Sequence, residues 1–149
     1  MDTNIACFLI RAKKDVFADR ANFESSRPSS KDKQYSEGNL KYIDSFFGEI
    51  NFAGEEVLLK NDVTFWAMNY IGRVLSEDVS MESLWRFLED ALLLVPKEHP
   101  YRGPLHYAHG EYAYKCTISG NFDWFSGAEE IYHNGVKVYE LMFHGGYVK

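Results

Sequence analysis

Ile5, Phe8, Leu9, Ala12 and Val16 recur at helical spacing near the start of the chain, so residues 3–17 predict an amphipathic helix. A polar stretch at 18–37, centred on Ser25-Ser26-Arg27-Pro28-Ser29-Ser30, predicts a loop. The pattern then changes to runs rich in Tyr, Phe, Val, Ile and Trp at about 38–46, 51–60 and 63–71, which predict strands. Asn61-Asp62 between the last two suits a tight hairpin. A second helix is predicted over 80–94. Ser80 is placed to cap it, Pro96 ends it, and Leu84, Phe87, Leu88, Ala91, Leu92 and Val95 make one broad stripe. A second loop, 96–109, carries Tyr101-Arg102-Gly103-Pro104. Three more strand-like runs follow at 110–118, 122–133 and 136–144, with Asn134-Gly135 as a hairpin signal.

The order αβββ-αβββ suggests a tandem repeat, with copies at about 3–74 and 80–147. Residues 52–74 align without a gap on 125–147 at an offset of 73. Phe52/Phe125, Gly54/Gly127, Glu56/Glu129, Asn61/Asn134, Val63/Val136 and Gly72/Gly145 are identical. Upstream the offset is 72, matching Tyr35/Tyr107, Gly38/Gly110, Tyr42/Tyr114 and Gly48/Gly120; the helices match at 79 through Phe8/Phe87, Leu9/Leu88 and Ala12/Ala91. One αβββ unit cannot cover its own apolar face, so two are expected to pack about a pseudo-twofold axis. The expectation is one α+β domain over 1–149, mainly antiparallel sheet with two helices packed on it. A central cleft would be lined by equivalent positions of both halves.

Composition narrows the function. With 149 residues and 46% hydrophobic content, the chain can build a packed core. A net charge of −6 and no basic cluster beyond Lys13-Lys14 argue against direct nucleic-acid binding. No apolar run is long enough to span a membrane, and the short stretch 5–10 runs straight into Arg11, Lys13 and Lys14, unlike a signal peptide. Cys7 and Cys116 lack metal-ligand spacing and read as buried, reduced thiols of a cytoplasmic protein. No metal or cofactor is expected.

Four constellations could carry chemistry. The duplicated Phe-x-Gly-(x)-Glu-Glu places Glu55 and Glu56 in the first half and Glu129 and Glu130 in the second. Glu is rare in strands, and alternation puts Glu56 and Glu129 on the face of their apolar neighbours Leu58 and Ile131. Two such carboxylates could bind a cation, share a proton, or simply pair with a loop arginine. Arg27 and Arg102, each on a Pro-stiffened loop, could grip a carboxylate or phosphate, or be those internal partners. Aromatic content is high, at 16%. Trp66 and Trp124 are the preferred pocket aromatics, with Tyr70 beside them, since an aromatic cleft holding a Glu suits an organic cation. Among the histidines only His144 is placed to reach the cleft, as a base with Glu129 or Glu130. No nucleophile elbow, phosphate loop or dinucleotide fingerprint is present.

The strings SSRP, KYIDSFFG, FAGEE, LLLVP, PYRGP, FDWFSGAEEIY, NGVKVYE and FHGG resemble a bacterial family of unknown function. Its members occur alone or behind an XRE-type helix-turn-helix in transcription regulators. That resemblance implies a sensor role, although this chain carries no helix-turn-helix of its own. The duplicated layout is also loosely similar to gyrase-inhibitory-protein-like effector domains, whose strand–helix–strand–strand order differs. The leading expectation is a small-molecule sensor domain with a polar or cationic ligand. The alternatives are a small enzyme with a Glu general base, or a non-catalytic module that forms a homodimer.

Overall fold

The apolar stripe of each helix is covered by one face of a single sheet in the computed structural model, which describes residues 1–18 and 23–149. Helix α1 spans Thr3–Ala18 and buries Phe8, Leu9, Ala12 and Val16. Helix α2 spans Met81–Leu92 and buries Leu84, Phe87, Leu88, Ala91 and Leu92. Ser80 caps α2 by accepting the Ser83 N–H at 3.3 Å, as its sequence predicted.

The sheet has eight strands: β1 (Lys31–Glu37), β2 (Leu40–Gly48), β3 (Asn51–Lys60), β4 (Val63–Val74), β5 (His106–His109), β6 (Tyr112–Asn121), β7 (Trp124–His133) and β8 (Val136–Tyr147). All neighbours are antiparallel, in the order β1-β2-β3-β4-β8-β7-β6-β5. The α+β architecture matches the expectation; the αβββ order does not. Each half has four strands, because β1 and β5 occupy stretches expected to be loops. Their sequences, KDKQYSE and HYAH, lack an alternating apolar face because both are edge strands with little to bury. Gly38 and Gly110, expected to start strands, instead turn the chain between them at φ +58° and +59°. Positions 19–22 of the expected first loop lie outside the described residues.

The sheet order reads the same from either edge. β4 and β8 meet with Tyr70 opposite Phe143, residues equivalent at the offset of 73. Equivalent details recur in both halves. Bulges fall at Leu58/Leu59 and Ile131/Tyr132. A side chain at Gly54 would strike the Tyr70 ring, and one at Gly127 would strike Phe143. Phe8 meets Tyr35 of β1, and Phe87 stacks on Tyr107 of β5.

One face of the sheet lies under the helices. The other is uncovered, because strand alternation sends Ala53, Ile71, Ala128 and Met142 away from the core. Those four line a groove of about 920 Å³ on that face, with Arg73, Glu130, Lys137 and Glu140 at its charged end. Arg73 pairs with Glu140, and Lys137 with both Glu130 and Glu140. No helix among the described residues is long and apolar enough to cross a membrane.

Candidate functional site

Seven polar or charged residues are buried among those described, and the five charged ones are Lys13, Asp44, Glu56, Arg102 and Glu129. All five lie on the helix-covered side. An isolated buried charge is costly, so each needs an account of its partners.

Glu129 of β7 is fully satisfied. Arg102, in the loop after α2, donates to it through Nε at 3.1 Å and Nη2 at 2.9 Å. Tyr114 and Tyr139 donate their hydroxyls at 2.6 and 2.8 Å. Burial, then the Glu129 charge, pushes both phenols well above the ordinary tyrosine value. Burial opposes the Arg102 charge, but Glu129 outweighs it and keeps the guanidinium ionised.

Glu56 of β3 sits at the equivalent place with different company. Its cation is Lys13 of α1, which bonds Glu56 Oε2 and donates to the Tyr101 carbonyl at 2.6 Å. Burial lowers the Lys13 value and the Glu56 charge resists. Tyr42, equivalent to Tyr114, forms no good bond to Glu56; its hydroxyl and Glu56 Oε1 lack hydrogen-bond partners among the described residues.

Asp44 is the fifth charge. Its side chain shares the inner face of β2 with Tyr42 and is 7% exposed. Tyr70 donates to Asp44 Oδ1 at 2.7 Å. Burial and the nearby Glu56 charge push the Asp44 carboxyl up to about 7, against the pull of Tyr70, Lys13 and Arg102. Two buried cations therefore face three buried acids, and Asp44 is the acid with only a neutral donor.

Asp44 and Arg102 border a cavity of about 450 Å³ between α2, the C-terminal part of α1 and strands β2–β4. Phe46, Phe52, Tyr70 and Trp85 give it aromatic walls. The arrangement joins apolar area to one acid that titrates near neutral pH, a combination common in ligand sites.

Asp44 sets a pH signature. Its folded value lies above the ordinary carboxylate value near 4, so between about pH 4 and 7 the folded protein holds a proton the unfolded chain has lost. Stability should fall as pH rises through that window, by up to about 1.4 kcal/mol per unit, and level off above it. Asp44→Asn keeps an acceptor for Tyr70 and removes the titration. Urea unfolding at pH 5 and pH 8 should show the variant losing less stability over that interval than wild type. Parallel profiles for the two proteins would refute this reading of Asp44.

The structure distributes the sequence candidates unevenly. It joins Glu129, Arg102 and Tyr70 near the cavity, with the Arg102 guanidinium 5.6 Å from the Tyr70 ring centre. Glu56 is close by, but paired to Lys13 rather than to Arg27. Arg27 donates to Ser45 Oγ at 3.0 Å and covers the Phe47 ring, away from both glutamates. Glu55 and His144 are exposed on the uncovered face, each opposite Asn69. Glu130 bonds Tyr132 and Lys137. Trp66 is core: its Nε1–H donates to the Phe122 carbonyl at 3.1 Å and its ring stacks on Phe125. Trp124 is 82% exposed at the start of β7. Cys116 is buried, while Cys7 is only partly so. Among the described residues no group of His, Cys, Asp or Glu is placed to hold a metal.

Sequence reasoning missed Lys13, Asp44 and Trp85. Lys13 carried a usable signal: it sits four residues after Leu9 and three before Val16, on the buried stripe of α1. Asp44 alternates with Tyr42 and Phe46 on one face of β2, an acid where an apolar residue is expected.

Residues 44–148 match a family model described as a domain of unknown function, DUF5680. That segment begins within β2 at Asp44, holds β3 to β8 and α2, and includes every cavity-lining side chain from Asp44 onward, but not α1. No curated protein and no solved structure matches the chain.

Proposed function

The chain belongs to the DUF5680 family, and on that premise we propose that it is a small-molecule-binding domain whose site is the helix-side cavity. One observation carries the reading: Asp44, buried and without a cationic partner among the described residues, borders an aromatic cavity of about 450 Å³. A purely structural carboxylate would be expected to have a cation, as Glu56 and Glu129 do. The cytoplasmic sensor role implied by the resemblance to regulator-associated bacterial proteins is the proposed context. The shared core and symmetric sheet fit a single domain built by duplication.

A thermal-shift screen of a metabolite library tests the site. Leu88→Trp, on the α2 wall, should fill the cavity and abolish the shift of every compound bound there, while near-UV circular dichroism confirms the fold. Compounds whose shifts survive Leu88→Trp bind elsewhere, and a screen yielding only these sinks the proposal.

A second reading has one observation in its favour: a carboxyl near 7 in a cavity suits a general base. Turnover of a screened compound that is lost in Asp44→Asn would favour this enzyme reading; binding without turnover favours the sensor. His144 has no part in it, since it lies on the opposite face of the sheet.

A further inference from the structure

The two halves hold equivalent aromatic nests, and among the described residues only the second is filled by a face-to-face ring. In the second half Phe125 has three ring neighbours: Trp66 stacked at 5.7 Å, Phe143 at 6.2 Å, and Tyr101 stacked face to face at 3.9 Å. The equivalent Phe52 keeps the first two in kind, with Tyr139 stacked at 6.3 Å and Tyr70 at 6.2 Å. The third place differs. Trp85 meets Phe52 edge-on at 6.0 Å, and among the described residues no ring stacks on Phe52 face to face at short distance.

Tyr101 does not act alone in the second half. Its neighbour Arg102 delivers the cation that Glu129 binds, so a ring and a positive charge enter that nest as a pair. In the first half the corresponding loop carries Ser26-Arg27 and is directed elsewhere, with Arg27 over Phe47. Lys13 supplies a cation to Glu56 but no ring to Phe52. The first nest also has an extra acid, because Asp44 stands where the second half has Cys116 at the offset of 72.

We infer that the first half-site takes an aromatic monocation, a protonated amine or guanidine on a planar ring, stacked on Phe52 with its charge on Asp44. The inference rests on the cavity being a ligand site, as proposed above. The ligand supplies from solution what Tyr101 and Arg102 supply from the chain. Charge supports this polarity: among the described residues two buried cations face three buried acids, and an added cation balances them. An anion would have to draw on Lys31, which is paired with Glu49, or on Arg102, whose Nε and Nη2 are committed to Glu129, and would lie against Asp44.

The test is calorimetric titration of the full chain at pH 8 with 2-phenylethylamine, 2-phenylethanol, 3-phenylpropanoate and n-butylamine. The aromatic ammonium should bind roughly ten-fold or more tightly than each of the others. Asp44→Asn should erase its advantage over the alcohol, and Phe52→Leu its advantage over butylamine. Asp44→Cys, which installs the residue of the second half, provides an independent check should Asp44→Asn fold poorly. Equal binding of the alcohol or carboxylate, no binding of the aromatic ammonium, or an advantage that persists in both Asp44 variants overturns the inference. If a neutral or anionic compound then binds in a manner lost in Leu88→Trp, the cavity remains the ligand site and only the cationic assignment falls. If nothing binds in that manner, both fall.

Discussion

Lys13→Met should be the most damaging single substitution in the buried charge cluster, costing about 3–5 kcal/mol. Among the described residues the lysine is the only side-chain partner of Glu56, and Glu56 Oε1 already lacks one. Removing the ammonium strands a carboxylate in a fully buried position and also frees the Tyr101 carbonyl. For a domain of this size the cost corresponds to a drop in Tm of roughly 10 °C. The energy belongs to the stranded charge rather than to the pair, because desolvation consumes most of what a buried ion pair gains. The double variant Lys13→Met/Glu56→Leu should therefore recover most of the loss, ending within about 1 kcal/mol of wild type. Urea unfolding of the two single variants and the double variant gives the answer. A double variant as unstable as Lys13→Met would show that the lysine matters through packing.

Arg102→Ala comes second, and the difference between the two sites explains why. It also uncouples a buried carboxylate, with an expected cost near the lower end of the same range, about 3 kcal/mol. Glu129 still keeps two phenol donors, from Tyr114 and Tyr139, whereas Glu56 keeps none with good geometry. The guanidinium also packs over Tyr70, so some of the loss is contact area. Arg102→Lys should recover only part of the loss, since one ammonium cannot reproduce two parallel bonds. Denaturation midpoints for the two variants decide it; full rescue by lysine would mean that charge alone, and not the bidentate geometry, holds Glu129.

Much of the fold was legible because its signals are local. Asn61-Asp62 and Asn134-Gly135 take positive φ at both turn positions, as a tight hairpin requires. The stripes of α1 and α2 follow from spacing alone. The edge strands β1 and β5 were not legible, since a strand with one neighbour and one solvated face need not alternate. The candidate site was half legible. Repeat matching found Glu56, Glu129 and Arg102, because symmetric positions advertise themselves. It could not find Lys13 and Asp44, which are where the halves differ. Strand alternation separated Glu55 from Glu56, yet could not say which face the helices cover. Trp66 and Trp124 were chosen for their chemistry, and tertiary context sent one to the core and the other to the surface.

With its carboxyl raised by burial and the Glu56 charge, Asp44 is expected to cost stability when ionised, as groups kept for function often do. The most direct measurement is a crystal structure of the protein with any compound that binds it. The compound is expected to lie against Phe52, within hydrogen-bond reach of Asp44, between α2 and the sheet. A ligand seated instead in the groove of Ile71 and Met142 on the uncovered face, with the helix-side cavity unchanged, would contradict the assignment.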